Sequence, residues 1–370
     1  MAKIILAAGR RFGRFTLLFL ILPLGLIMSL WFFLLDQHVI WFFVLIGFAL
    51  WTADITIALL KGIFFADLSS KKVNGISRAQ APGLWSMWEA VAGKAIARKT
   101  AITLGDAVNA SIRMHRTLLG FRRYYQLKVG IPLLAVTNKE AMFAILMHEN
   151  GHVLNEDVNG KLRLAELEES LNIVFDFAPP EESITGRLLF ALWKRLSPSF
   201  EREKMRLSRD AEIKADLEAA NGGHGEEAAR ALLLVDASAI FLEQTFYKSL
   251  RQQRTDTVPP VISPTKRLLD AVSMLNMSEL LNIYAQHAWS MEVDELSSHP
   301  SCAQRLSALG YAERFTIEPV ATSALALLED GFAKRVFAEL DELWTNPVPS
   351  KLQSGADAAD NVKAAGGSGR

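Results

Sequence analysis

Two long apolar runs dominate the N-terminal part of the chain. Residues 16–35 contain no charged side chain over 20 positions, and residues 39–60 contain Asp54 as their only charge before Lys61. At 1.5 Å per residue, each run gives about 30 Å of helix, which is enough to cross the hydrocarbon core of a bilayer. No small-residue cleavage site precedes Asp36, so the pattern favours a two-helix transmembrane hairpin over a cleaved signal peptide.

The basic residues around these runs predict how the hairpin is oriented. They lie on both outer flanks, at Lys3, Arg10, Arg11, Arg14, Lys61, Lys71, Lys72 and Arg78, and are absent from the connection at 36–38. The positive-inside rule therefore predicts a multi-pass protein of the inner (cell) membrane whose remaining chain lies in the cytoplasm. Asp54 is either a functional intramembrane acid or a residue that stays hydrated or pairs within the protein.

The apolar pattern changes after the second run. Residues 124–129 and 133–136 predict two short strands around Gly130 and Pro132. We expect a strand at this point to pair with an extended peptide substrate at a sheet edge. Thr137 and Glu140 form a predicted capping box that opens a helix running through His148 and His152.

The rest of the chain has mostly helical periodicity. An amphipathic helix is predicted at 226–251, a further helix at 266–289, and one or two helices at 318–344. Glu181 and Glu182 follow two prolines and predict a loop between helices, with a lid as one interpretation. Residues 346–370 are rich in Gly, Ala, Ser and Asp, which predicts a disordered tail.

Composition and charge narrow the classes of partner. Lysines and arginines balance aspartates and glutamates, so there is no electrostatic case for a nucleic-acid partner. Cys302 is the single cysteine, which excludes an intrachain disulfide.

Candidate chemistry is concentrated in His148-Glu149-Asn150-Gly151-His152. Two histidines four residues apart lie on one face of a helix and can bind one metal ion, and Glu149 can reach a water beside that ion. A catalytic zinc takes three protein ligands. Glu212 and Asp216, also four apart, are candidates for the third ligand and for a hydrogen-bond partner of a ligand histidine. On periodicity alone, a solvated acidic helix face is an equal alternative.

Four separated motifs together resemble a known family. They span about residues 105–309 and comprise Asn109-Ala110, the His148–His152 motif, Ser208-Arg209-x-x-Glu212-x-x-Ala215-Asp216, and His299-Pro300-Ser301 followed by Arg305-Leu306. Their order is similar to that in the membrane zinc metallopeptidases of the HtpX and CAAX prenyl protease type. The resemblance implies a mainly α (α+β) fold with a zincin-like catalytic domain and a small β-sheet.

The resemblance also implies a ligand set. One zinc ion per chain would be held by His148, His152 and Glu212. Glu149 would be the general base that takes a proton from the attacking water and later gives it to the leaving amine.

The resemblance assigns surrounding roles as well. Asp216 would orient a ligand imidazole, and Arg209 and Arg305 would tie helices together through carboxylates. His299 would hydrogen-bond the oxyanion or approach the metal, and a helix-capping or core histidine is the alternative.

One departure from the family pattern affects the expected substrate. HtpX-like members often carry two further hydrophobic helices between the second histidine and the third ligand, whereas residues 153–208 here are polar. The many-helix membrane chamber of the CAAX protease is also absent, which argues against prenylated substrates. We therefore predict an anchor at 1–66 (spans about 16–35 and 39–60), a metallopeptidase domain at 67–345 and a tail at 346–370.

The predicted function is that of a membrane-anchored zinc metalloendopeptidase. It would act on protein or peptide substrates in membrane protein quality control or processing. One alternative is a catalytically silent or regulated membrane scaffold, although the intact Glu149 argues against it. Another is a zinc hydrolase of small peptides or amides, which a closed pocket would favour over an open groove. The sequence leaves the oligomeric state open.

Overall fold

The computed structural model describes residues 2–21, 26, 29, 39–65, 74–117, 122–221, 223–253, 262–293 and 297–345. Within them the chain is mainly helical with a small sheet. The strands are β1 (Thr100–Gly105), β2 (Ala110–Thr117) and β3 (Arg122–Gly130). The helices are α1 (Ala2–Phe12), α2 (Val39–Phe65), α3 (Pro82–Ala97), α4 (Ile131–Val136), α5 (Lys139–Asn159), α6 (Lys161–Phe177), α7 (Ile184–Asn221), α8 (Gly225–Leu242), α9 (Lys248–Gln253), α10 (Pro264–Leu275), α11 (Ser278–Ser290), α12 (Cys302–Ala308) and α13 (Asp330–Thr345).

The three strands form a mixed sheet in the order β1-β3-β2. β1 runs parallel to β3, with Ile102 opposite Leu127, and β2 runs antiparallel to β3, with Ile112 opposite the same leucine. Ile102, Leu127 and Val129 are fully buried on the face that packs against the helices. β2 is therefore an edge strand among the described residues.

Two strand predictions had different outcomes. The strand at 124–129 is confirmed as part of β3, but it lies in the middle of the sheet, between the two edge strands β1 and β2. The strand at 133–136 is wrong, because these residues belong to α4. Pro132 suits the first turn of a helix, and a short, fully buried apolar run has no alternation that distinguishes strand from helix.

The start of α5 differs by one residue from the predicted capping box. Asn138, not Thr137, is the N-cap, and its side chain accepts a 2.8 Å hydrogen bond from the backbone N–H of Ala141. The hydroxyl of Thr137 instead donates to the carbonyl of Leu133 at 2.7 Å, at the end of α4. Thr137 is fully buried, so the preceding helix competes successfully for its hydroxyl.

The buried apolar residues form two separate cores. The larger one joins the sheet to α3, α4, α5, α8 and the C-terminal helices around residues such as Trp88 and Leu127. The smaller one joins the N-terminal elements, α2, α6 and the first half of α7 through Leu17, Leu59 and Phe200. α7 is the longest helix described and takes part in both regions.

One helix among the described residues is long and apolar enough to cross a membrane by length and composition, namely Ile46–Phe65 within α2. The predicted span at 16–35 falls largely outside the described residues, which include 16–21, 26 and 29 of it, so the two-helix hairpin is not confirmed. Residues 2–12, read only as a basic flank in the sequence, form the helix α1. The predicted tail at 346–370 lies outside the described residues.

The connection between α6 and α7, residues 178–183, lies against α2. Thr185, at the start of α7, donates a 3.0 Å hydrogen bond to the Asp54 carboxylate. Asp54 therefore pairs within the protein, as one of the two interpretations expected. Glu181 and Glu182 lie in this loop and are not among the residues that line the cavity described below, so the interpretation as a lid stays a prediction.

Candidate metal centre

The two helices that build the site cross at a glycine. A Cβ added to Gly151 of α5 would come within 2.8 Å of the Cα of Ala215 and 3.0 Å of its carbonyl oxygen in α7. Ala215 lies directly before Asp216 and three residues after Glu212. Because no side chain separates the helices here, both carboxylates of α7 reach the imidazoles of α5.

Three side chains from these two helices converge on one point. The Nε2 atoms of His148 and His152 are 3.1 Å apart. Glu212 places one carboxylate oxygen 3.6 Å from His148 Nε2 and the other 3.6 Å from His152 Nε2. The structure thus brings together the three residues that the resemblance implied as metal ligands.

A buried ion pair fixes the orientation of His148. Its Nδ1 donates to Asp216 at 2.8 Å. Arg305 of α12 grips the same carboxylate with two hydrogen bonds of 2.7 Å. When this ring loses its second proton on binding a metal and keeps the Nδ1–H bond to Asp216, its lone pair lies on Nε2, the atom that faces His152 and Glu212.

The charges at this point are strongly coupled. Burial lowers the pKa of His148, but hydrogen bonds with Asp216 and Glu212 outweigh burial and raise it to about 9. Burial acts to raise the pKa of Glu212, and hydrogen bonds from His148 and His299 hold it well below its usual range. Burial acts to raise the pKa of Asp216, but its hydrogen bonds with Arg305 and His148 together outweigh burial and lower that pKa below its usual value. Both carboxylates are therefore ionised at neutral pH.

Glu149 has a different environment from the carboxylates of α7. Its side chain is buried, and burial raises its pKa to about 7, partly offset by a hydrogen bond from the backbone of Ile112 in β2. Burial and the nearby His148 lower the pKa of His152 to about 4, so this imidazole is neutral at neutral pH. A carboxylate with a pKa near 7 suits a group that must both accept and donate a proton.

The donor set fits a zinc ion. Two imidazole nitrogens and a carboxylate are a common catalytic zinc ligand set. Ligand atoms of His148, Glu149 and His152 lie within 4.8 Å of one another, so two carboxylates compete for the third position. Glu212 fits better, because it contacts both imidazoles from across the helix interface, whereas Glu149 is tied to β2.

A cavity of about 960 Å³ opens onto these residues. Its lining includes β2 and the preceding turn, with Asn109, Ala110 and Ile112, and residues of α8. Asn109-Ala110, the most upstream of the sequence motifs, thus lies at the site.

The remaining sequence candidates occupy different positions. His299 lines the cavity, with Nδ1 3.3 Å from Glu212 and 64% of its side chain exposed, so it is neither a core residue nor a helix cap. Arg305 ties α12 to α7, as expected. Arg209 lies one turn before Glu212 and is not among the residues that line the cavity.

Two features of the site had not been expected from the sequence. Asp236 of α8 lines the cavity wall, and burial raises its pKa even though its carboxylate accepts a hydrogen bond from Cys302. Burial and Asp236 together raise the pKa of the Cys302 thiol. In the sequence, Asp236 stands out as a single acidic residue in an apolar helix. Its position at the cavity depends on how α8 packs against α12.

Comparisons with known proteins identify the family. A family model described as peptidase family M48 matches residues 66–313, which include all four motifs. The chain belongs to peptidase family M48. This match confirms the resemblance to the family of HtpX-like and CAAX prenyl protease-type enzymes.

Structural and curated comparisons add little to this assignment. The crystal structure of S. mikatae Ste24p is similar to this chain at 16% sequence identity and a TM-score of 0.34. The match covers 78% of this chain, which spans 61% of the length of Ste24p. No curated protein matches this chain.

Proposed function

We propose that this M48 peptidase is a membrane-anchored, zinc-dependent metalloendopeptidase with one zinc ion per chain. The convergence of His148 Nε2, His152 Nε2 and the Glu212 carboxylate within 3.6 Å is the observation that carries the proposal. When bound there, zinc lowers the pKa of a water molecule and polarises a peptide carbonyl.

Glu149 is the proposed general base. Its carboxylate takes a proton from the attacking water and delivers it to the nitrogen of the leaving amine. The hydrogen bond from the Ile112 backbone orients this carboxylate, and its burial keeps the pKa close to 7. Proton transfer in both directions is then accessible at neutral pH.

The side chains around the ligands have proposed positioning roles. Asp216 holds the His148 ring in place, and Arg305 neutralises and anchors Asp216. His299 lies at the exposed side of the cavity, where its imidazole can donate a hydrogen bond to the oxyanion of the tetrahedral intermediate. Arg209 is proposed to support α7 from outside the cavity.

An extended polypeptide is the substrate that the cavity suits best. β2 lines the cavity and has no neighbouring strand on its outer edge among the described residues, and such an edge accepts a peptide as an additional strand. A site that continues along a strand favours internal cleavage of a protein chain. This argues against the alternative of a hydrolase specific for small amides.

The predicted anchor indicates where in the cell the enzyme would encounter its substrates. Ile46–Phe65 is apolar over 20 residues, and the basic flanks favour a catalytic domain on the cytoplasmic side of the inner membrane. The proposed role at this location is cleavage of membrane or misfolded proteins, in quality control or processing.

The decisive test is Glu149→Gln in the full-length protein. The substitution removes the base but leaves the three ligands, so we expect bound zinc to be retained and casein hydrolysis to fall by about 10²-fold or more. Zinc content by elemental analysis and peptide release measure the two effects. Glu140→Gln, at an exposed position in the first turn of the same helix, is the matched control and should be fully active.

Two outcomes would contradict the proposal. Equal hydrolysis by Glu149→Gln and wild type would exclude Glu149 as the base. Zinc binding without hydrolysis in the wild type, across unfolded and membrane substrates, would favour the alternative of a silent scaffold.

A further inference from the structure

The end of the α6–α7 hairpin carries a cluster of exposed apolar side chains. Phe177, Ile184, Leu188 and Phe190 are between 44% and 66% exposed. We call these four residues the hairpin tip. Single exposed apolar residues are common on soluble proteins, but four within 14 positions at the end of one helical hairpin point to an interaction surface.

The hairpin tip lies directly beside the candidate membrane helix. The Lys61 ammonium of α2 lies 3.7 Å from the centre of the Phe177 ring. Thr185, the neighbour of Ile184, donates to Asp54 of α2. Asp54 and Lys61 lie in the C-terminal part of α2, towards the cytoplasmic end of the span predicted at 39–60, so the hairpin tip adjoins that end of the span.

The charges of the same segment set the depth at which it can enter a membrane. Glu181, Glu182 and Arg187 are exposed next to the apolar residues, and charged groups are costly at the centre of a bilayer. They are tolerated at the level of the lipid head groups. Ile184 and Leu188 lie one turn apart on α7, in the pattern of an interfacial helix.

The basic residues further along α7 agree with this position. Arg187, Lys194 and Arg195 are exposed, whereas Thr185, Leu189 and Trp193 face the smaller core. Cationic side chains beside an apolar stripe are attracted to anionic head groups. The first turns of α7 thus present apolar and basic residues outward and pack their other face on the anchor.

We propose that the hairpin tip inserts into the interfacial layer of the phospholipid bilayer that surrounds α2, as a second attachment to the membrane. The partner is the phospholipid surface itself. Because α7 carries Glu212 and Asp216, attachment at its N-terminal end would hold the metal centre at a fixed orientation to the bilayer. The inference rests on the proposed membrane anchor.

The test uses single cysteines labelled with an environment-sensitive fluorophore in the full-length protein. The natural Cys302 is buried with a raised thiol pKa, so unsubstituted protein serves as the blank. Ile184→Cys and Leu188→Cys report on the hairpin tip. Leu50→Cys on exposed α2 is the positive control, and Ile283→Cys on α11, also exposed, is the negative control.

The proteins are placed in nanodiscs of phosphatidylcholine and phosphatidylglycerol, with and without lipids that carry a nitroxide near the head group. We expect blue-shifted emission and nitroxide quenching at positions 184, 188 and 50, but not at 283. Quenching at 50 without quenching at 184 or 188 would overturn the proposal and leave the anchor intact. No quenching at 50 or at the hairpin tip would overturn both, and equal quenching at 283 would remove the distinction on which the proposal depends.

Discussion

At the scale of single residues, having glycine at position 151 is as important to the metal centre as the imidazoles beside it. The backbones of α5 and α7 touch at Gly151 and Ala215. A His-Glu-x-x-His motif does not itself require glycine at this position, so the requirement comes from the helix that must deliver Glu212.

Gly151→Ala tests this close approach. The new Cβ would lie 2.8 Å from a backbone atom of Ala215, so α7 must shift and carry Glu212 away from the imidazoles. We expect overpacking to lower the free energy of unfolding by roughly 1–3 kcal/mol and to weaken zinc binding. Thermal unfolding and zinc titration against a competing chelator measure both effects. Gly225→Ala, where the nearest atom is 3.7 Å away, should leave both unchanged.

Asp216→Asn tests the support of His148. The amide cannot accept the hydrogen bonds of His148 and Arg305 as the carboxylate does, and loss of such support typically lowers metal affinity about 10–100-fold. The zinc dissociation constant, measured by competition, is the direct measurement. Asp210→Asn breaks only an exposed ion pair with Arg206 on the same helix and should bind zinc normally. Equal affinities for the two variants would remove Asp216 from this role.

At the scale of elements, α7 connects the anchor to the metal centre. It begins beside Asp54, passes through the smaller core at Phe200, and reaches the imidazoles 27 residues after Thr185, which is about 40 Å along a helix. No single apolar stripe runs along α7, because each part of the helix packs against a different neighbour.

Thr185→Val tests the contact at the anchor end of α7. The substitution keeps the shape but removes the hydrogen bond to Asp54, which we expect to cost about 1 kcal/mol of stability. Thermal unfolding in detergent measures the loss. In an Asp54→Ala background the same substitution should cost less, because the acceptor of this hydrogen bond is already gone. Thr245→Val, which removes only a bond within its own helical segment, is the control.

At the scale of the whole molecule, the anchor is part of the folded body rather than a tether. Leu17, Ile55, Leu59 and Ile63 are buried against α6 and α7 in the smaller core. Removing them would expose apolar residues of both helices, such as Leu167 and Phe200.

Deletion of residues 1–65 should therefore destabilise the catalytic part. We expect a lower unfolding temperature and aggregation in detergent-free buffer. The apolar surface of α6 and α7 that packs against residues 1–65 would become exposed to water. Size-exclusion chromatography and thermal unfolding are the measurements. Deletion of 346–370, the predicted tail, is the comparison and should change neither. If the 66–370 fragment is monomeric and as stable as the full-length protein, the catalytic part folds independently of residues 1–65.

The local pattern of the sequence determined the apolar span, the helix of the His148–His152 motif and the chemistry of its donors, because these depend on neighbours within a few residues. It also contained Glu212 and Asp216, but it left a solvated acidic face as an equal alternative. Only the tertiary structure distinguishes a metal site from a solvated acidic face, because the crossing of α5 and α7 at Gly151 determines which carboxylates contact the imidazoles. The same holds for α4, for the central place of β3, and for the pairing of Asp54 with Thr185, because burial and partners distant in the chain decide each of them.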